Sequence, residues 1–176
     1  VRKSLMPFME KYGLKGSIIS AVDLLKGIGK FAEMNVVNVE GATGYIDTNF
    51  EGKANAAVKE LESGQDFVYI HVEAPDECGH RYEIKNKVLS LEYIDKRVLE
   101  IVLAGLEQFD DYKILIMPDH ATPLALKTHT NDAIPFLIYH KNKPVVGAKE
   151  FTEETAKNSG TYIENGHTIL DYFFNS

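Results

Sequence analysis

Short runs of β-branched and aromatic residues recur along the chain as GSIISAV (16–22), NVVNVE (35–40), DFVYIHVEA (66–74), KILIMP (113–118) and PFLIYH (135–140). Runs this short and this uniformly apolar suit strands buried on both faces, the condition of a sheet covered by helices. Between them the hydrophobic spacing changes to three or four. VDLLKGIGKFAEM (22–34) and KANAAVKELES (53–63) read as helices. Leu91, Ile94, Val98, Ile101, Gly105 and Phe109 predict a longer helix from about Lys87 to Phe109. Pro7 and Gly13 bracket a short N-terminal helix, and Gly41-Ala42-Thr43-Gly44 and Gly160 read as turns. Strands alternating with helices predict an α/β fold with a mostly parallel sheet.

No repeat or linker interrupts this pattern. At 176 residues, one domain is expected, long enough to bury roughly 70% of its unfolded surface. Hydrophobic residues at 44% and charged residues at 26% exclude disordered and collagen-like classes. The net charge is -7 and the three arginines, Arg2, Arg81 and Arg97, are scattered. No basic stripe exists to follow a phosphate backbone, so nucleic acid is not an expected partner. A lone Cys78 forms no internal disulfide, and neither a leader pattern nor a run of about 18 apolar residues is present. A soluble, cytoplasmic protein without a membrane partner is expected. The chain opens on Val1 directly into a polar–apolar pattern, which reads as a piece of something longer.

In an open parallel sheet, ligands gather beyond the carboxyl ends of strands, so the residues after HVEA and ILIMP are where chemistry is expected. The first segment is Ala74-Pro75-Asp76-Glu77-Cys78-Gly79-His80, a loop entering a helix; if it is helical, Asp76 and His80 share a face. The second is Pro118-Asp119-His120, followed nine residues after His120 by His129 in Lys127-Thr128-His129-Thr130. Singly, each has a plainer reading: Asp76 as a helix cap, His80 as a surface or core histidine, Asp119 as a turn residue and His120 as its neighbour. Together, two aspartates and three histidines placed after consecutive strands exceed what caps and turns require. Carboxylate and imidazole ligands without thiolate suit Mn, Zn, Mg or Fe, and two such groups of ligands suit a two-metal clamp for phosphoryl transfer.

The remaining candidates read as structural. His71 lies inside a strand run, His140 ends one, and His167 precedes an apolar C-terminal helix. Cys78 need only be small between its neighbours. Gly27-Ile28-Gly29 and Gly41-Ala42-Thr43-Gly44 complete neither phosphate-binding glycine motif, so no organic cofactor is expected. Ser17 and Ser20 sit in a buried strand pattern and not on a nucleophile elbow.

Read in order, GLKGSIISAVDLLKGIGKFAEM, GATGYIDTNFEGKANAAVKEL, DFVYIHVEAPDECGH, IDKRV, ILIMPDHATPLALKTHTNDAIPF and NGHTIL resemble the archaeal-type, cofactor-independent phosphoglycerate mutases of the alkaline-phosphatase superfamily. The resemblance covers nearly the whole chain. It implies a three-layer α/β/α sandwich, of which residues 1–176 form the C-terminal, metal-binding portion. It further implies two divalent ions, manganese or zinc foremost and magnesium as the alternative. One ion would take Asp76, His80 and His129, and the other Asp119 and His120. The family also requires an aspartate near its N-terminus, a serine that becomes phosphorylated and an inserted substrate domain. None of these has a counterpart here, so this chain alone is expected to be inactive.

By the same resemblance the parent protein interconverts 2- and 3-phosphoglycerate through a phosphoserine intermediate. Two departures from the family pattern bear on the substrate. Arg81-Tyr82-Glu83 follows His80 where relatives carry a small, acidic stretch, and Lys127 stands where arginine is usual; an ammonium lacks the bidentate fork of a guanidinium. The alternatives are a related phosphotransferase, such as the proposed homoserine kinase branch that shares these motifs, and a folded fragment without catalysis.

Overall fold

The computed structural model describes residues 5–176, and their placement divides into two compact units. One comprises the described residues up to Gln108 together with Leu124–Thr128; the other comprises Phe109–Pro123 and His129–Ser176.

The first unit is built on a parallel sheet. β1 (Gly16–Ile19) lies between β2 (Asn35–Val37) and β3 (Phe67–Ile70), with Ser17 opposite both Asn35 and Val68. Its residues alternate across the sheet, as the pleat of a strand demands. Ile18 meets Gly29 of α2 (Asp23–Phe31), while the Ser17 hydroxyl donates to Glu60 of α3 (Phe50–Glu62). The two helices therefore cover opposite faces, giving an α/β/α arrangement. Gly29 is required by the first contact, because any Cβ there would overlap the Ile18 side chain. α1 (Phe8–Tyr12) ends at Gly13, whose φ of 69° is the left-handed cap that glycine adopts at least cost.

α3 begins at Asn49, whose side-chain oxygen accepts from the Gly52 amide. It buries Phe50, Ala54 and Ala57 on one stripe, together with Lys53. α4 (Ala74–His80) follows β3, and the long helix read from the sequence runs as α5 (Ile84–Tyr93), a π-helical segment (Ile94–Leu99) and α6 (Glu100–Leu106). The π segment presents Arg97 between the rings of Phe50 and Tyr93, and Arg97 donates to both carboxylate oxygens of Glu51. This joins the helix to the first turn of α3.

In the second unit, β4 (Lys113–Ile116) and β5 (Leu137–His140) pair antiparallel, Ile114 opposite Tyr139. Among the described residues, three strands form the expected parallel sheet and two form an antiparallel pair in the second unit. A buried apolar run fixes the existence of a strand but not its direction. α7 (Glu153–Asn158), not read from the sequence, starts at a Thr152–Thr155 capping box. α8 (Ile169–Asn175) is the expected C-terminal helix; its Phe173 is buried and its last turn receives the Lys113 ammonium at the Phe173 carbonyl. Among the described residues, no helix is long and apolar enough to cross a membrane.

Candidate metal centre

The segment after β3 is helical from its first residues. Pro75 falls in the first turn, where its missing N–H costs nothing, and Asp76 and Glu77 place negative charge at the helix's positive end. Helical spacing then sets Asp76 and His80 on one face, with Asp76 Oδ2 3.4 Å from His80 Nε2. The other ring nitrogen, Nδ1, lies 2.9 Å from the Lys127 carbonyl oxygen. A carbonyl only accepts, so Nδ1 carries the proton, and a neutral ring then has its lone pair on Nε2, beside Asp76. Metal-ligating histidines are commonly oriented in this way, by a backbone carbonyl on the far nitrogen.

Lys127 holds that carbonyl in place from a left-handed backbone (φ 56°), and Tyr82, just after α4, is left-handed as well (φ 59°). Neither is a glycine, so both carry local strain, and the Lys127 ammonium lies over the Tyr82 ring. Glu73 immediately precedes α4. One carboxylate oxygen from each of Glu73, Asp76 and Glu77 lies within 4.8 Å of the others. Arg81 pairs with Glu77 at 3.0 Å and stacks on Tyr45, whose hydroxyl donates to Glu83. That hydrogen bond holds the Tyr45 pKa up and the Glu83 pKa down. Cys78 is fully buried, and burial pushes its thiol pKa up, so it remains a neutral thiol.

In the second unit, Pro118-Asp119-His120 follows β4 as expected. Asp119 Oδ1 accepts from the His120 amide, and Oδ2 lies 3.5 Å from His120 Nε2. Ala121 and Thr130 form an antiparallel bridge that sets His120 and His129 diagonally across it, and their ring centroids are 3.7 Å apart. Thr122 Oγ1 lies 3.3 Å from His120 Nδ1. Each unit therefore presents a carboxylate and imidazole nitrogen close together.

Of the histidines read as structural, His71 and His140 have partners elsewhere. His71 lies one residue past β3, with Nδ1 3.2 Å from the Ser20 hydroxyl, and Ser17 and Ser20 are both buried. His140 pairs with Asp111 at 2.9 Å, which lowers the Asp111 pKa. His167 is exposed in a single turn, Gly166–Thr168. Glu73 and Lys53 were not singled out from the sequence; the signal for Lys53 is its place on the same helical stripe as Phe50, Ala54 and Ala57.

The model of the metalloenzyme superfamily matches residues 1–175. The chain belongs to the metalloenzyme superfamily. Among curated members, a Methanosarcina mazei protein named 2,3-bisphosphoglycerate-independent phosphoglycerate mutase is 51% identical over 171 residues, 96% of this chain and 43% of that protein. This superfamily chain thus spans less than half the length of that relative. A solved Pyrococcus horikoshii structure superposes with a TM-score of 0.83 at 31% identity, over 97% of this chain and 51% of that one. The cofactor-independent phosphoglycerate mutase of Thermoplasma acidophilum, 22% identical, shares the fold with a TM-score of 0.68 over 97% of this chain and 39% of its own. The alkaline-phosphatase-like fold expected of the superfamily is the one observed.

Proposed function

We propose that this chain is the metal-ligand-bearing C-terminal part of a 2,3-bisphosphoglycerate-independent phosphoglycerate mutase. Residues 1–176 form part of its phosphatase-like domain, and the nucleophile segment and substrate domain belong to sequence present in the longer relatives. The proposed ligands are Asp76, His80, Asp119, His120 and His129, for two divalent ions, manganese or zinc. The observation that carries this reading is the 51% identity with a mutase over 96% of the chain. The donor chemistry supports it, because the residues present are the oxygen and imidazole nitrogen donors that such ions prefer.

Divalent ions held by these donors supply charge stabilisation to a phosphoryl group in transfer and lower the pKa of an attacking oxygen. The chain's own residues prepare for this. The Lys127 carbonyl fixes the His80 proton on Nδ1, helix α4 keeps Asp76 beside Nε2, and the Ala121–Thr130 bridge holds two imidazoles together. Cys78, within α4 itself, is buried, and burial holds its thiol pKa up, so it offers no competing thiolate between Asp76 and His80.

The substrate in this reading is phosphoglycerate, the intermediate is a phosphoserine on a residue outside this chain, and the location is cytoplasmic. Assaying the full-length protein with 3-phosphoglycerate and, separately, with homoserine and ATP tests it. Formation of 2-phosphoglycerate is expected. Phosphohomoserine as the product would replace the mutase with a kinase.

A further inference from the structure

Lys53 is fully buried, on the stripe of α3 that carries Phe50, Ala54 and Ala57. Its ammonium donates to the His71 carbonyl at 3.0 Å. His71 is held at two further points: its amide donates to the Ile19 carbonyl at 2.9 Å, and its ring meets the Ser20 hydroxyl. Ser20 in turn accepts from the Val22 amide at the start of α2. One residue is thereby tied to α3, to the end of β1 and to the entry of α2. Three residues later α4 begins.

Packing does not account for the charge. A methionine fills a similar volume, and removing a buried charge together with its desolvation cost is often neutral or stabilising. What the ammonium does supply is a fixed point for a backbone carbonyl, with the Glu73 carboxylate as the favourable charge nearby. Glu73 is itself confined, since a Cβ on Gly44 would collide with its carboxylate. α4 has seven residues, too few to hold its own place, so its position depends on how the chain leaves β3.

We propose that Lys53, acting through the His71 carbonyl, is the positioning residue for α4, the helix that carries Asp76 and His80. This rests on α4 being a ligand-bearing helix, and the test separates the two ideas. Amide hydrogen exchange is measured on the protein and on Lys53→Met and Lys53→Arg, with manganese affinity measured by calorimetry on each. In Lys53→Met, the amides of residues 74–80 are expected to exchange at least about tenfold faster while those of β1 and α6 keep their rates. Manganese binding is expected to weaken about 10- to 100-fold, the usual consequence of losing a residue that orients a ligand. Lys53→Arg, which keeps a charged donor, is expected to recover most of both.

Unchanged exchange in α4, or uniform acceleration through the whole unit, overturns the positioning role. Should Lys53→Met fail to fold, Lys53→Gln gives the same readout without the charge; failure of both to fold means a general packing role and also overturns it. An unsubstituted protein that binds no manganese, with α4 exchange still responding to Lys53, removes the metal reading and leaves the positioning role standing.

Discussion

The pKa of Lys53 falls to about 8 from the ordinary 10.5, chiefly because burial disfavours the ammonium, with Lys26 adding to the fall and Glu73 opposing it. Between those two values the unfolded chain binds more protons than the folded one, so this residue's contribution to stability rises with pH across that window. Below about pH 8 its full penalty is present. Urea unfolding of the unsubstituted chain and of Lys53→Met at pH 7.5 and pH 10 checks the sign: the unsubstituted chain is expected to gain relative to the variant at the higher pH, and an opposite trend contradicts the depressed pKa. Gly29 allows a second test, because its missing side chain is what lets α2 sit on Ile18. Gly29→Ala is expected to destabilise by about 1–3 kcal/mol, the usual cost of overpacking, read from the midpoint of denaturant unfolding. The candidate ligands were visible in the sequence because residue type and position after a strand are both written there. Lys53 and Glu73 were not, since their meaning depends on which way α3 turns its stripe and on how closely Gly44 approaches.

At the level of elements, the strands and helices of the parallel sheet were legible from their periodicity, and each falls where the alternation of patterns placed it. The antiparallel pairing of β4 and β5 was not, because direction is decided by the path of the connection. The π-helical segment was also hidden, since Leu91, Ile94, Val98 and Ile101 fit an unbroken helix equally well. Its effect is to aim Arg97 at Glu51 and at two aromatic faces. Arg97→Met is expected to lower stability by about 1 kcal/mol, a figure kept small because both partners are partly exposed. Arg97→Lys should recover little of it, having no planar fork to meet both carboxylate oxygens. Thermal unfolding of the two variants distinguishes these outcomes, and full recovery in lysine would show that charge alone matters there.

For the whole molecule, the chain covers 43% of the length of its Methanosarcina mazei relative and carries the superfamily match across residues 1–175. Within each unit, carboxylate and imidazole donors lie side by side, and the Lys127 backbone carbonyl fixes the proton of the His80 imidazole on α4. The proposed division of labour leaves catalysis to the longer protein, so this chain alone is expected to show no mutase turnover and to bind metal more weakly than that protein. The most direct measurement is calorimetric titration of manganese and zinc into the metal-free chain and into Asp76→Ala. Stoichiometric binding that Asp76→Ala weakens about 10-fold or more is predicted for a ligand at the metal. Absence of binding in both, or equal binding by the two, would contradict the account.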